Sequence, residues 1–89
     1  MRAIVTVIGK DQVGIIADVC GVLAGAGINV LDISQTVLQE YFTMIMLVDA
    51  TGSTMDFDRL SGLLKEHGEG KGLSIRIQRE DIFEAMHRI

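Results

Sequence analysis

The sequence predicts one α+β domain in which two helices alternate with four strands in the order βαββαβ. Two observations support this expectation. Short β-branched or alternating segments are typical of strands, and two longer stretches carry apolar residues at the three- and four-residue spacing of amphipathic helices. Glycines stand where one pattern gives way to the next. A chain of 89 residues has the length of a single domain.

The first strand and the first helix occupy residues 2–26. Residues 2–8 form a β-branched run that ends at Gly9, which predicts strand one. Residues 13–26 carry apolar side chains at helical spacing and predict helix one. Asp11 is the expected N-cap of this helix, and glycines just beyond its last turn are the expected stop signals.

A hairpin follows the first helix. Residues 28–39 alternate apolar with polar side chains, and residues 41–49 continue after a break of about one residue at Glu40. Because antiparallel neighbours need only a tight turn between them, these segments predict strands two and three of one sheet.

The second helix and the last strand complete the order. Residues 56–67 place four apolar side chains on one helical face, with Thr54 or Asp56 as the N-cap and Gly68 just beyond the last turn. Residues 73–78 alternate and predict a half-buried strand four.

The last nine residues, 81–89, predict a short amphipathic helix added to a core of residues 1–80. Its apolar stripe consists of Ile82, Phe83, Met86 and Ile89. The complete order is that of a ferredoxin-like βαββαβ sandwich, a four-stranded antiparallel sheet with both helices on one face. Since no linker or repeat interrupts the chain, residues 1–89 form a single domain.

Composition argues against several classes of partner. A net charge of −4 opposes the phosphate backbone, and 4% aromatic residues offer little on which bases could stack, so nucleic acid is not expected. No apolar run reaches the roughly 18 residues of a membrane span, and the start of the chain lacks signal-peptide features. We therefore expect a cytoplasmic protein, and the single cysteine, Cys20, to act as a small hydrophobic residue.

Neither metal binding nor catalysis is indicated. His67 and His87 are isolated from other ligand-type residues. The glycine-rich residues 68–72 follow a helix and precede a strand, the reverse of a phosphate-binding loop. Acylphosphatases share this order of elements, but their first turn carries an arginine, whereas this turn has Lys10. We expect neither enzyme activity nor a cofactor.

The turn after strand one is the candidate binding site. Unpaired N–H groups at the start of helix one would donate hydrogen bonds to an anion such as a carboxylate. Gly14 has no side chain to obstruct the approach of this anion. Asp11 could then pair with an ammonium group. The alternative is structural: Asp11 only caps the helix, and Gly14 only allows close packing against a strand.

Two motifs resemble the ACT domain, an amino-acid-sensing module of many regulated biosynthetic enzymes. They are GKDQVGI at residues 9–15 and GINVLDISQ at residues 27–35. Over its full length, including residues 38–44 and 82–86, the chain resembles the stand-alone bacterial ACT proteins of the UPF0237 family. The resemblance implies that two domains pair, often into a continuous eight-stranded sheet, with effector sites at the interface. It places the ligand-binding positions at Asp11, Gly14, Ile15 and Asn29.

The function implied by this resemblance is that of a non-catalytic regulatory module. It would bind a small molecule, most simply an amino acid, and signal to a metabolic enzyme or regulator. The alternative is an interaction or oligomerisation module without a ligand. Strand three is apolar on both faces and 48% of all residues are hydrophobic, so we expect a homodimer or higher oligomer. The outer face of this strand should meet the C-terminal tail, a second subunit or a regulated protein.

Overall fold

The computed structural model describes residues 1–10 and 14–81, and within them the predicted βαββαβ order is confirmed. The elements are β1 (Arg2–Lys10), α1 (Ile15–Gly25), β2 (Asn29–Leu38), β3 (Tyr41–Asp49), α2 (Phe57–Glu69) and β4 (Leu73–Arg79). The four strands form one antiparallel sheet in the order β2-β3-β1-β4, so β1 and β3 are central and β2 and β4 are edges. None of the helices in this part of the chain is long and apolar enough to cross a bilayer.

The core lies between one face of the sheet and the two helices. Alternate side chains of the central strands point into it, because successive residues of a strand face opposite sides. The completely buried side chains are Ala3, Val5, Val7, Val19, Leu23, Met44, Met46, Val48 and Leu64. Both buried methionines lie on β3, where they fill the middle of the core. Cys20 is half-buried and packs against this cluster, as expected of a small hydrophobic residue.

Strand β1 is longer than predicted, because Gly9 lies within it. Gly9 pairs with Phe42 on one side and with Leu73 on the other. A Cβ atom at Gly9 would stand 2.5 Å from Cδ2 of Leu73, so glycine here permits a close approach of β4. The sequence pattern had placed the end of the strand at this residue.

The end of α1 follows the predicted glycine stop. Ala26 is the C-cap, and Gly27 has a φ of 77°, in the left-handed region. The N–H of Gly27 donates to the carbonyl of Ala24, and the N–H of Ile28 donates to that of Leu23, both at 3.0 Å. These two bonds are the Schellman arrangement, which satisfies carbonyls that the last helical turn leaves unpaired.

Helix α2 begins as predicted and ends later. Asp56 is the N-cap, and its side chain accepts a hydrogen bond of 2.8 Å from the N–H of Arg59. The helix then continues through Gly68 to Glu69, so the expectation that Gly68 lies beyond the last turn is wrong. Gly68 is buried against β4, where an added Cβ atom would stand 2.7 Å from the carbonyl oxygen of Leu73.

The two glycines inside α2 should respond oppositely to the same substitution. We expect Gly68→Ala to lower the free energy of unfolding by about 1–3 kcal/mol, because the new methyl group overpacks the contact with β4. Gly62 has open space around it, so Gly62→Ala should raise stability by roughly 0.5–1 kcal/mol through helix propensity alone. Urea unfolding of both variants measures the difference. Equal effects would show that Gly68 is not closely packed.

Strand β2 departs from simple alternation. A bulge lies between Val30 and Asp32, so Leu31 has no partner on β3. Beyond the bulge, Ile33 lies opposite Met46 and therefore on the helix side of the sheet. The hairpin to β3 turns through Gln39, which has a φ of 55°.

The predicted C-terminal helix covers residues 81–89, of which 82–89 lie outside the described residues, and so remains a prediction. The chain approaches this segment from the corner of the sheet where β1 begins. There the guanidinium of Arg2 pairs with the carboxylate of Glu80 at 2.7 Å.

Candidate functional site

The candidate binding site lies at the start of α1. Gly14, rather than the predicted Asp11, is the N-cap, and no side-chain hydrogen bond caps the helix there among the described residues. The carbonyl of Gly14 accepts the N–H of Asp18 at 2.9 Å, the first helical bond of the described chain. Asp11 itself lies outside the described residues, so its role in the site remains a prediction.

Access to this helix start is open on the side of Gly14. The residue has a φ of 87° and is exposed, and a Cβ atom placed on it would meet no atom within 4 Å. Close packing against a strand, the structural alternative for Gly14, therefore does not explain it. A positive φ does explain a glycine at this position, and the open space leaves room for a ligand.

A shallow cleft lies beside the helix start. It is lined by Gly14, Ile15, Ile16, Ala17, Gln35, Val37 and Phe42. The Ile15 side chain is 3% exposed and belongs to the core, so only its backbone can serve a ligand. Gln35 and Val37 enter the cleft because the β2 bulge sets their register, opposite Met44 and Phe42. Sequence reasoning gave these two residues no role, although their alternation with Ser34 and Thr36 placed them on one face.

An ion pair joins the first turn of α1, beside the cleft, to the loop before β4. The ammonium of Lys71 lies 3.2 Å from the carboxylate of Asp18, in the first turn of α1. Both side chains are 40% exposed. Such an exposed pair adds only about 0.2–1 kcal/mol of stability, but it places one charge of each sign next to the helix start.

Asn29 lies at the other end of the sheet. It begins β2, opposite Asp49, whereas the cleft lies near the end of β2 at Val37. At about 3.3 Å per residue, the separation along the strand exceeds roughly 20 Å. A single chain therefore brings Gly14 and Ile15 together and does not bring Asn29 to them.

An ionised carboxylate lies beside Asn29. Thr51 donates its hydroxyl to Asp49 at 2.6 Å and its backbone N–H at 2.9 Å, and these bonds hold the pKa of Asp49 below its ordinary value. The N-terminal ammonium lies 3.6 Å from the same carboxylate. Asp49 is therefore ionised at neutral pH. Asn29 is exposed beside it.

The described residues contain no group of three potential metal ligands. The Nε2 atom of His67 is buried without a hydrogen-bond partner in the described chain, and His67 lies in the last turn of α2. A lone imidazole nitrogen is neither a metal site nor a catalytic pair.

Comparisons with known proteins agree over the whole chain. The ACT domain family model matches residues 2–78. A UPF0237 protein of Clostridium acetobutylicum is 57% identical over 89 residues and is covered completely, as is this chain. A UPF0237 protein of Methanocaldococcus jannaschii is 48% identical, over 99% of this chain and 98% of the relative.

A solved structure shows the same fold. The ACT domain protein from Streptococcus pneumoniae matches with a TM-score of 0.83 at 47% identity, and the match covers 98% of both chains. Sequence and fold thus lead to one assignment. The chain belongs to the ACT domain family and, within it, to the UPF0237 proteins.

Proposed function

We propose that the protein is a cytoplasmic, non-catalytic regulatory module that binds an amino acid at a site formed by two copies of the chain. The carboxylate of the ligand would bind at the start of α1, next to Gly14 and the backbone of Ile15. Asp11 of the same copy would pair with the ammonium group. Asn29 of the second copy would complete the polar contacts. The signal would pass to a metabolic enzyme or regulator.

The observation that carries this proposal is the combination of a left-handed glycine and open space at the start of a helix. The first N–H groups of a helix have no acceptor within it and carry a partial positive charge. A carboxylate suits both properties. The cleft beyond it is lined mainly by apolar atoms of Ile16, Val37 and Phe42, with the Gln35 amide among them. A ligand with a charged head and a largely apolar side chain fits this lining.

The exposed edge strand β2 supports pairing of two copies. Nine of its ten residues are exposed, and Asp32 is its one charged residue. An exposed, long and mostly uncharged edge presents free backbone groups to another strand. Leu31, Ile33 and Val37 are also 48%, 38% and 52% exposed, so pairing would cover apolar surface as well.

Two-fold pairing of β2 would resolve the separation of Asn29 from Gly14. Two antiparallel copies of Asn29–Leu38 paired about a midpoint between Ile33 and Ser34 place Asn29 of one copy opposite Leu38 of the other. Leu38 directly follows Val37, which lines the cleft. The second copy would therefore bring Asn29 to the end of the sheet where Gly14 lies, with its side chain starting on the face away from α1 and reaching the cleft around the edge.

A thermal-shift screen against the twenty standard amino acids tests the proposal. A ligand at 100 times its dissociation constant should add about 2.7 kcal/mol to the free energy of unfolding. For a domain of this length that corresponds to a rise in melting temperature of roughly 10–20 °C. If no amino acid at millimolar concentration shifts the melting temperature, the proposed function is wrong and the interaction module without a ligand takes its place.

A further inference from the structure

The face of the sheet that points away from the helices has an apolar centre. We call it the outer face. On the central strands it presents Ile4 and Ile8 from β1, and Ile45 and Leu47 from β3. Ile8 and Ile45 are 49% and 42% exposed. No helix or strand of the described chain packs against this face.

In the middle rows of the outer face the charges lie on the two edge strands, whereas Arg2, Asp49 and Lys10 lie at the ends of the central strands on the same face. Across the middle rows of the sheet, Asp32 lies on β2 and Arg76 on β4, with only uncharged residues between them. Neither side chain has an ion-pair partner among the residues that the structure describes. The remaining middle-row positions on both edge strands are small or neutral: Ser34, Thr36, Ser74 and Gln78.

We propose that the outer face binds the outer face of a second copy of this chain, in a stack of two sheets related by a two-fold axis parallel to the strands. This rotation keeps each row and places β1 of one copy over β3 of the other, so Ile4 covers Leu47, and Ile45 and Ile8 lie over Thr6 and Thr43. It also places β2 over β4. Asp32 then faces the edge that carries Arg76, and the symmetry creates this contact twice.

The geometry is compatible with ordinary sheet packing. Stacked sheets lie about 10 Å apart with their strands within roughly 30° of each other. Asp32 belongs to the row of Leu47 and Ile4, and Arg76 to the adjacent row. Rows on one face are about 6.6 Å apart, because they differ by two residues. The long arginine side chain spans that offset.

Charge complementarity favours this orientation. A two-fold axis perpendicular to the strands would place β2 over β2 and β4 over β4, so charges of the same sign would be neighbours. Like charges in an interface oppose association, whereas opposite charges fix the orientation. Four strands at about 4.8 Å spacing give a buried area near the lower end of the range for stable protein interfaces. We therefore expect a dissociation constant in the micromolar range.

The stack is independent of the proposed amino-acid site and of pairing through β2. The two-fold axes of these two contacts do not intersect, so both contacts together would give an open assembly that grows with concentration. The stack alone would give twice the 9.7 kDa of one chain. Failure of one contact therefore leaves the other measurable.

Sedimentation velocity of the wild-type chain and matched variants over a broad micromolar concentration range tests the stack. Ile45→Lys should reduce the assembly to the mass that pairing through β2 alone gives, because it places a charge in the centre of the outer face. Leu63→Lys on α2 is the matched control, since Leu63 is 40% exposed and lies away from the sheet. It should leave the mass unchanged. An unchanged mass for Ile45→Lys overturns the stack.

A charge swap tests the orientation. Asp32→Arg and Arg76→Asp should each weaken the stack by about tenfold, because each places like charges together at two symmetric contacts. The double variant, Asp32→Arg with Arg76→Asp, should recover the wild-type dissociation constant. Failure of the double variant to recover it overturns the proposed orientation.

Deletion of residues 82–89 tests whether the C-terminal segment, rather than a second copy, covers the outer face. The stack predicts that the shortened chain keeps the wild-type mass and its sensitivity to Ile45→Lys. If the wild-type chain is instead insensitive to Ile45→Lys and only the shortened chain associates through the outer face, the C-terminal segment covers it and the stack is wrong.

Discussion

Gly27→Ala should destabilise the fold more than other substitutions of a single hydrogen by a methyl group. Two costs act together. The φ of 77° is unfavourable for any residue with a side chain by about 1–2 kcal/mol. The added Cβ atom would also stand 2.5 Å from the carbonyl oxygen of Gly52, and this oxygen is part of the backbone and cannot rotate away. We expect a loss of roughly 3 kcal/mol, or about 10–20 °C in melting temperature.

Gly25→Ala is the control for this substitution. Gly25 is the last residue of α1, has no positive φ, and has no atom within 4 Å of an added Cβ. We expect the melting temperature of this variant to stay the same or rise slightly, because alanine favours helix. If both variants melt at the wild-type temperature, the contact between the end of α1 and the turn at Gly52 is not as close as described.

Gly14→Asn should remove ligand binding while preserving the fold. Asparagine tolerates the left-handed region better than most residues, so the φ of 87° costs little. Its side chain would occupy the open space through which a carboxylate approaches the helix start. We expect the affinity for an amino acid found in the screen to fall at least tenfold, which corresponds to about 1.4 kcal/mol. Titration calorimetry measures it.

Gly72→Asn is the matched control. Gly72 also has a positive φ, of 72°, and no atom within 4 Å of an added Cβ. Both variants should keep nearly the wild-type melting temperature, and only Gly14→Asn should lose the ligand. Gly14→Val is a poorer probe, because a β-branched residue at this φ loses stability as well. Unchanged affinity in Gly14→Asn would show that the ligand does not approach at Gly14.

The order of the elements was predictable because hydrophobic periodicity is a local property of the sequence. The bounds of β3 matched the prediction, since both of its ends are marked by polar residues and turns. Glycines caused two of the errors elsewhere. At Gly9 and Gly68 a glycine permits a neighbouring strand to approach, and this is a tertiary contact that a local pattern does not contain. Helix and strand therefore continue through positions at which local rules would end them.

The candidate site was predictable only in part. Gly14 and Ile15 are neighbours in the chain, so the motif alone placed them together. The β2 bulge at Leu31 was not predicted, because it inserts one unpaired residue without changing the composition of the strand. This bulge sets the register in which Gln35 and Val37 line the cleft. The distance from Asn29 to Gly14 depends on the antiparallel register of the sheet. This register is a tertiary property that a local sequence pattern does not contain.

The central claim is that each site takes Gly14 from one copy and Asn29 from the other, and mixing two defective variants tests it most directly. Gly14→Asn and Asn29→Ala each weaken both sites of their own dimer. After subunit exchange, half of the dimers are mixed, and each mixed dimer contains one intact site and one site with both changes. Calorimetry should then find one site in four with the wild-type affinity. If mixing restores no high-affinity site, the two residues do not act across the interface and the account is contradicted.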